Sequence, residues 1–333
     1  MIELTVNSKN PAAISNAFKK IAEMAKSGAI EKTTLVHIIL GAGVYTELLN
    51  YNLQNPLIME ATHGVKSENC VVRAENCEAF HRDTENRAVF VIGPSATSVT
   101  LRGFSIQNTH VKTLGDEKLG NQAEALCFHN QRGVLKAERM TFQSHQDTIH
   151  VKGFSHFTDC VIEGDVDFIW GYCDTSLFER CQIRVIEDNR GDCPAYVLQS
   201  RALANRPGFV FMNCEFFAVP RPSAPIFLAR SSGTGKADSR DRWDSVAIIN
   251  CVLSEHFASA LFTDEDGTRA VFPAGSALTG WREYGTKTRT ARGKIVNADT
   301  SARYKTDYIL SDKEYKEHYA SADLLLRAFP KLP

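Results

Sequence analysis

The feature that most constrains this chain is a short motif that returns at the interval of one solenoid coil. Its copies are Leu101-Arg-Gly-Phe-Ser-Ile106, Lys136-Ala-Glu-Arg-Met-Thr-Phe142, Phe157-Thr-Asp-Cys-Val-Ile162, Phe178-Glu-Arg-Cys-Gln-Ile183, Phe211-Met-Asn-Cys-Glu-Phe216 and Ile248-Ile-Asn-Cys-Val-Leu253. Met140 and Cys160 stand 20 residues apart, and Cys160 and Cys181 stand 21 apart. Strands of a β-sandwich return roughly every 8–12 residues, so the spacing favours coils of a solenoid. Wider gaps, such as the 33 residues from Cys181 to Cys214, read as coils carrying loop insertions on one face. The expected fold is all-β, a right-handed parallel β-helix in which Cys160, Cys181, Cys214 and Cys251 stack inside as small hydrophobes.

A solenoid needs its end coils covered, because they expose core and unpaired edges. Asn10-Pro11 predicts the start of a helix with Ile14, Phe18, Ile21 and Ala25 on its apolar face and Gly28 at its end. Ser311 predicts another, after which Leu324, Leu325, Leu326 and Phe329 pack back on the stack. The 333 residues then form one β-helix domain, with about residues 1–30 as the N-terminal cap and about 301–333 as a helical tail. Lys plus Arg number 38 against 39 Asp plus Glu, a balance that argues against a nucleic-acid or anionic-membrane partner. Nine cysteines in apolar runs argue for reduced thiols, and the absence of Cys-x-x-Cys pairs argues against a metal site. The first twenty residues lack the pattern of a secretory leader, so the expectation is a cytoplasmic monomer.

Polar residues that can carry chemistry concentrate in three clusters: Gln122-Ala-Glu-Ala-Leu126, Gln146-Asp-Thr-Ile149 and Gly164-Asp-Val-Asp-Phe-Ile-Trp-Gly171. Asp147 follows Met140 by 7 residues and Asp167 follows Cys160 by 7, so in a solenoid they are neighbours on successive rungs. Strands about 4.8 Å apart bring such carboxylates face to face. Like charges that close favour one protonated and one ionised group, the division needed for a general acid beside a nucleophile. Gln122 and Gln146 end neighbouring clusters, where neutral amides can donate to a developing oxyanion or form an external ladder.

These three clusters resemble the signature blocks of the pectin methylesterases. Gly41-Ala-Gly-Val-Tyr-Thr-Glu47, Val197-Leu-Gln-Ser-Arg201 and Phe227-Leu-Ala-Arg230 resemble further blocks of that family, in order along the chain. The resemblance implies hydrolysis of methyl esters on pectin or methylated oligogalacturonide, without cofactor or metal. It implies Asp167 as nucleophile, Asp147 as proton donor and acceptor, Gln122 and Gln146 as oxyanion donors, and Arg230 as the group that orients Asp167.

The chain departs from the family pattern after Arg230, where Ser231-Ser-Gly-Thr-Gly-Lys236 replaces proline and a sugar-stacking tryptophan. Trp243, Trp170 and Phe168 are candidate replacements for that stacking surface, although each could be core. His150 stands where the family commonly has tyrosine and is assigned to the substrate-binding wall, either lending sensitivity to mild acid or serving only as a hydrogen-bonded wall. Asp165 is an extra carboxylate that either raises the proton affinity of its neighbours or points outward. Rival readings are a solenoid lyase or glycosidase, an esterase acting on acetyl or thioester groups, and a sugar-binding solenoid without activity.

Overall fold

In the computed structural model, which describes residues 1–112, 120–233 and 242–331, the chain winds into a right-handed parallel β-helix. One face, a ten-stranded sheet, runs from Gly43–Thr46 through Thr141–Gln143, Val161–Gly164 and Gln182–Val185 to Ile295–Asn297. The remaining strands form two further faces that backbone hydrogen bonds join into one seventeen-stranded sheet, because Ile149–Thr158 and Val166–Glu179 each bend from one face into the next. Among the described residues, all strand pairings are parallel except that of Lys287–Arg289 with Ile295–Asn297.

The repeated motif is the corner between two faces. Pairing puts Phe104, Met140, Cys160, Cys181, Cys214 and Cys251 in equivalent positions on successive rungs. All six are buried, and the cysteines are free thiols within the core. The residue before each is left-handed: Gly103, Arg139, Asp159, Arg180, Asn213 and Asn250 have φ between 51° and 70°. That conformation turns the chain within one residue, which explains the Asn and Asp of the motif. Inside the coils, Phe157, Phe178 and Phe211 stack with ring centroids 4.7 Å apart at each step.

The ends differ in part from expectation. The first strand is Ile2–Val6, which adds a rung below Val36–Leu40 before the helix begins. Helix α1 (Ala13–Lys26) buries Ile14, Phe18 and Ile21 as expected, but Asn10 does not cap it. The N-cap is Ala12, in left-handed conformation, and Glu47 accepts the helix's free N–H groups from Ile14 (3.1 Å) and Ser15 (2.9 Å). At the other end Ser311 opens α2 (Asp312–His318) with a reciprocal capping box to Glu314. The following α3 (Ala322–Leu326) packs against the side of the stack rather than over its end. Leu325 and Tyr319 join an external apolar cluster with Leu177, Val210, Ala247 and Ile249, and Phe329 meets Phe154.

Candidate active site

The expected register of the two aspartates is present. Gln146 bridges Val166 and Ile149 pairs with Ile169, so Asp147 lies directly below Asp167, with its backbone N–H donating to Val166 O at 3.1 Å. Both residues are left-handed, with φ of 63° and 46°, an uncommon conformation for a non-glycine residue and one that clusters at functional sites. Two nearby glycines admit close neighbours. A Cβ on Gly164 would sit 2.2 Å from Phe168 Cβ, and one on Gly171 (φ 143°) would sit 2.0 Å from Val151 O. Phe168 therefore turns into the core, where it is fully buried, and this corrects its assignment to substrate binding.

Asp167 is held from above. Arg230 donates Nε to Oδ1 at 2.8 Å and Nη2 to Oδ2, a bidentate fork suited to an anion, while Gln199 Nε2 donates to Oδ2 at 3.2 Å. The other side of the guanidinium reaches Glu265 at 2.6 Å. Gln199 and Arg230 share a column with Trp170 on adjacent rungs, which is why these two donors meet on one carboxylate.

Asp147 has a different environment. Beneath it lies Glu124, the middle residue of the first polar cluster, completely buried. Arg87 forks Glu124 at 2.8–3.0 Å, donates to Asp147 Oδ2 at 3.0 Å and reaches Glu78 at 3.1 Å. Burial foremost, with Glu124 and Asp167 adding negative charge, holds the Asp147 carboxyl well above the ordinary range against the pull of Arg87 and Arg201. The two carboxyls therefore sit in different environments, Asp147 buried over Glu124 and sharing its arginine with it, Asp167 forked by Arg230.

Gln122 and Gln146 both line the 430 Å³ cleft above these carboxylates, with Trp170, Gln199, Arg201 and Arg269. Gln122 Oε1 is buried without a hydrogen-bond partner. Rotation interchanges the amide's oxygen and nitrogen, so this end can present N–H to an incoming oxyanion.

An adjoining 730 Å³ cavity shares Trp170 and Arg201 with the cleft and is bordered by Lys152, Tyr172, His129 and His150. His150 is buried against Trp170, their rings 4.1 Å apart and nearly parallel. Burial first, and then the positive charge of Lys152, hold the imidazole well below its ordinary range, and with Cys127 Sγ 3.2 Å from its Nδ1 this favours the hydrogen-bonded wall of the two readings. Trp243 lines neither cavity. It bridges Ala202 and meets Phe272 edge-on at 5.3 Å, which removes it from the stacking surface. Of the Ser231–Lys236 departure, residues 234–236 lie outside the described residues. Asp165 neither points outward nor joins the pair: it is buried with Lys112 Nζ at 2.5 Å and His145 Nδ1 at 3.3 Å.

Sequence reasoning missed Arg87, Glu124, Gln199 and Arg201. Glu124 and the Gln199–Arg201 pair lay inside noticed segments, and the 23-residue step that aligns Leu126 with Ile149 also aligns Glu124 with Asp147. For Arg87 there was no signal, since it precedes the strand Phe90–Ile92 in an irregular segment.

Fold and site together define a parallel β-helix protein with a paired-carboxylate cleft on one face. The pectinesterase family model matches residues 8–231, and the chain belongs to that family. Pectinesterase 1 of Olea europaea is 27% identical over 204 residues, 60% of this chain and 53% of that protein. Pectinesterase A of Emericella nidulans is 25% identical over 183 residues, 54% of this chain and 52% of that protein. The chain thus spans little more than half the length of these curated relatives. Among solved structures, pectin methylesterase PemA from Erwinia chrysanthemi superposes with a TM-score of 0.68 at 22% identity over the whole of both chains. A pectin methylesterase in complex with a hexasaccharide also superposes with a TM-score of 0.68, at 21% identity over the whole of both chains. The carrot enzyme gives 0.64 at 18% identity over 85% of this chain and 82% of that one. At such identities the superpositions speak for the fold.

Proposed function

We propose that this chain hydrolyses methyl esters of galacturonides, oligomeric or polymeric, through an aspartyl acyl-enzyme. The observation that carries the reading is the pair Asp147 and Asp167 on adjacent rungs, one forked by Arg230 and the other buried over Glu124. The Asp167 carboxylate attacks the ester carbonyl, and its carbon–oxygen bond to the methoxy group breaks as Asp147 gives that oxygen a proton. Methanol leaves and a mixed anhydride remains. Water then attacks the anhydride, Asp147 takes the water's proton, and Asp167 is released as carboxylate with the product acid. Gln122 and Gln146 donate to the oxyanion in both steps. An inverting glycosidase fits less well, because its carboxyls stand about 6.5–9.5 Å apart with a water between them, wider than neighbouring strands at about 4.8 Å.

The test is methanol release from methylated oligogalacturonides and from pectin, in chelator, by wild type and Asp167→Asn. Release by wild type that the substitution abolishes supports the reading. Release that survives it overturns the nucleophile, and no release by wild type overturns the substrate class.

A further inference from the structure

Cys127 and His129 alternate on the strand Leu126–Phe128 and the residue after it, so both side chains project from the same outer face. The next rung places His150 beside Cys127 in parallel register. Three potential ligand atoms, one from each residue, lie within 4.8 Å of one another. Cys127 Sγ stands 3.2 Å from His150 Nδ1. A zinc ion holds sulfur at about 2.3 Å and nitrogen at about 2.0 Å, which sets ligand atoms roughly 3–4 Å apart, so this pair already has the needed separation.

The surroundings fit such an ion. His129 Nε2 lies 2.6 Å from Glu85 Oε1 and 2.9 Å from Lys152 Nζ. In the tautomer with its ring proton on Nε2, directed at the Glu85 carboxylate, His129 keeps the lone pair on Nδ1, the carboxylate–histidine arrangement common around zinc, whereas Lys152 can only donate and favours the other tautomer. His129 Nδ1 is buried with no hydrogen-bond partner, and with His150 Nδ1 facing Cys127 the other nitrogen of that ring, Nε2, is left unpaired. Cys127 and His150 are at least 99% buried, whereas both histidines border the 730 Å³ cavity, from which a water could complete the coordination. A Cys127 thiolate and the Glu85 carboxylate supply two negative charges toward the ion, against the one positive charge of Lys152 beside His129.

We propose that Cys127, His129 and His150 form a binding site for one zinc ion in the wall of the substrate cleft, separate from the paired aspartates. The ligand pattern is Cys-x-His along one strand with His on the next, so it lacks the Cys-x-x-Cys spacing by which zinc sites are usually noticed. His150 stacks on Trp170, which lines the cleft itself. Occupancy therefore fixes one wall of that cleft. Metal binding can be read directly, so the site stands or falls apart from the esterase reading.

The experiment titrates the whole, chelator-stripped chain with Zn2+ by calorimetry, and with Co2+ while watching for the thiolate-to-cobalt charge-transfer band. Wild type is expected to bind one equivalent and to show the band. Cys127→Ser should lose the band, and His129→Gln, at a half-buried position that tolerates a polar side chain, should weaken Zn2+ binding about tenfold or more. Glu85→Gln should weaken it less and keep the band. Cys193→Ser, which changes the one cysteine that is not fully buried, should bind as wild type. Absence of stoichiometric binding by wild type, or binding undiminished in both Cys127→Ser and folded His129→Gln, overturns the proposal.

Discussion

At the scale of single residues, the two aspartates have the same local conformation and opposite surroundings. Arg230 and Gln199 donate three hydrogen bonds to Asp167, whereas Asp147 shares Arg87 with the buried Glu124. Under the proposed mechanism Asp167→Asn should lower kcat by more than about 10⁴-fold while leaving the melting temperature close to wild type, as methanol release and calorimetry would check. The pH profile follows from Asp147. A raised carboxyl keeps its proton to higher pH, so kcat/KM should fall as pH rises through that value. Glu124→Gln removes a neighbouring negative charge and frees Arg87 for Asp147. Both effects favour the ionised form, so the alkaline limb should move to lower pH. An alkaline limb that stays in place in Glu124→Gln would count against Asp147 as the acid.

At the scale of elements, the corner motif and the cap of α1 show how side chains from distant segments complete a local structure. Glu47 receives two N–H groups from the first turn of α1, and it is buried. Glu47→Ala should destabilise the chain by about 1–2 kcal/mol, measured as a shift in the urea midpoint with an unchanged slope. The strand Val166–Glu179 depends on Gly171, whose missing Cβ admits Val151 O. Gly171→Ala combines a forbidden approach with an unfavourable φ, and it should lower both stability and activity because the same strand carries Asp167.

At the scale of the whole molecule, the core runs unbroken from α1 to Trp281, with a second apolar cluster where the tail meets the side of the stack. Where the tail rejoins the stack, the coil near Tyr308 also brings the half-buried Asp307 against the buried Glu283. Burial first, and then the charge of Glu283, push the Asp307 carboxyl up from 3.8 to about 8. A folded state that binds the proton more tightly than the unfolded chain is most stable below the unfolded value and loses that contribution as pH rises. Asp307 should therefore cost stability progressively between about pH 4 and about pH 8. Asp307→Asn should flatten the decline in melting temperature over that window, and an unchanged pH dependence would refute the assignment.

What was legible in the chain itself follows from periodicity. A coil of about twenty residues can be counted, so the solenoid, the cysteine ladder and the alignment of Asp147 with Asp167 could all be read from spacing alone. Ser311 was equally readable, because a capping box is local. Residues whose partners come from other coils, across loops of irregular length, could not be placed in that way. Arg87 under Asp147, Glu47 on α1, Phe168 turned inward and Trp243 turned away were decided only in three dimensions. The physical reason is that strand register is a short-range count, whereas the direction of a side chain at a left-handed corner and the path of an insertion depend on what the neighbouring coils leave room for.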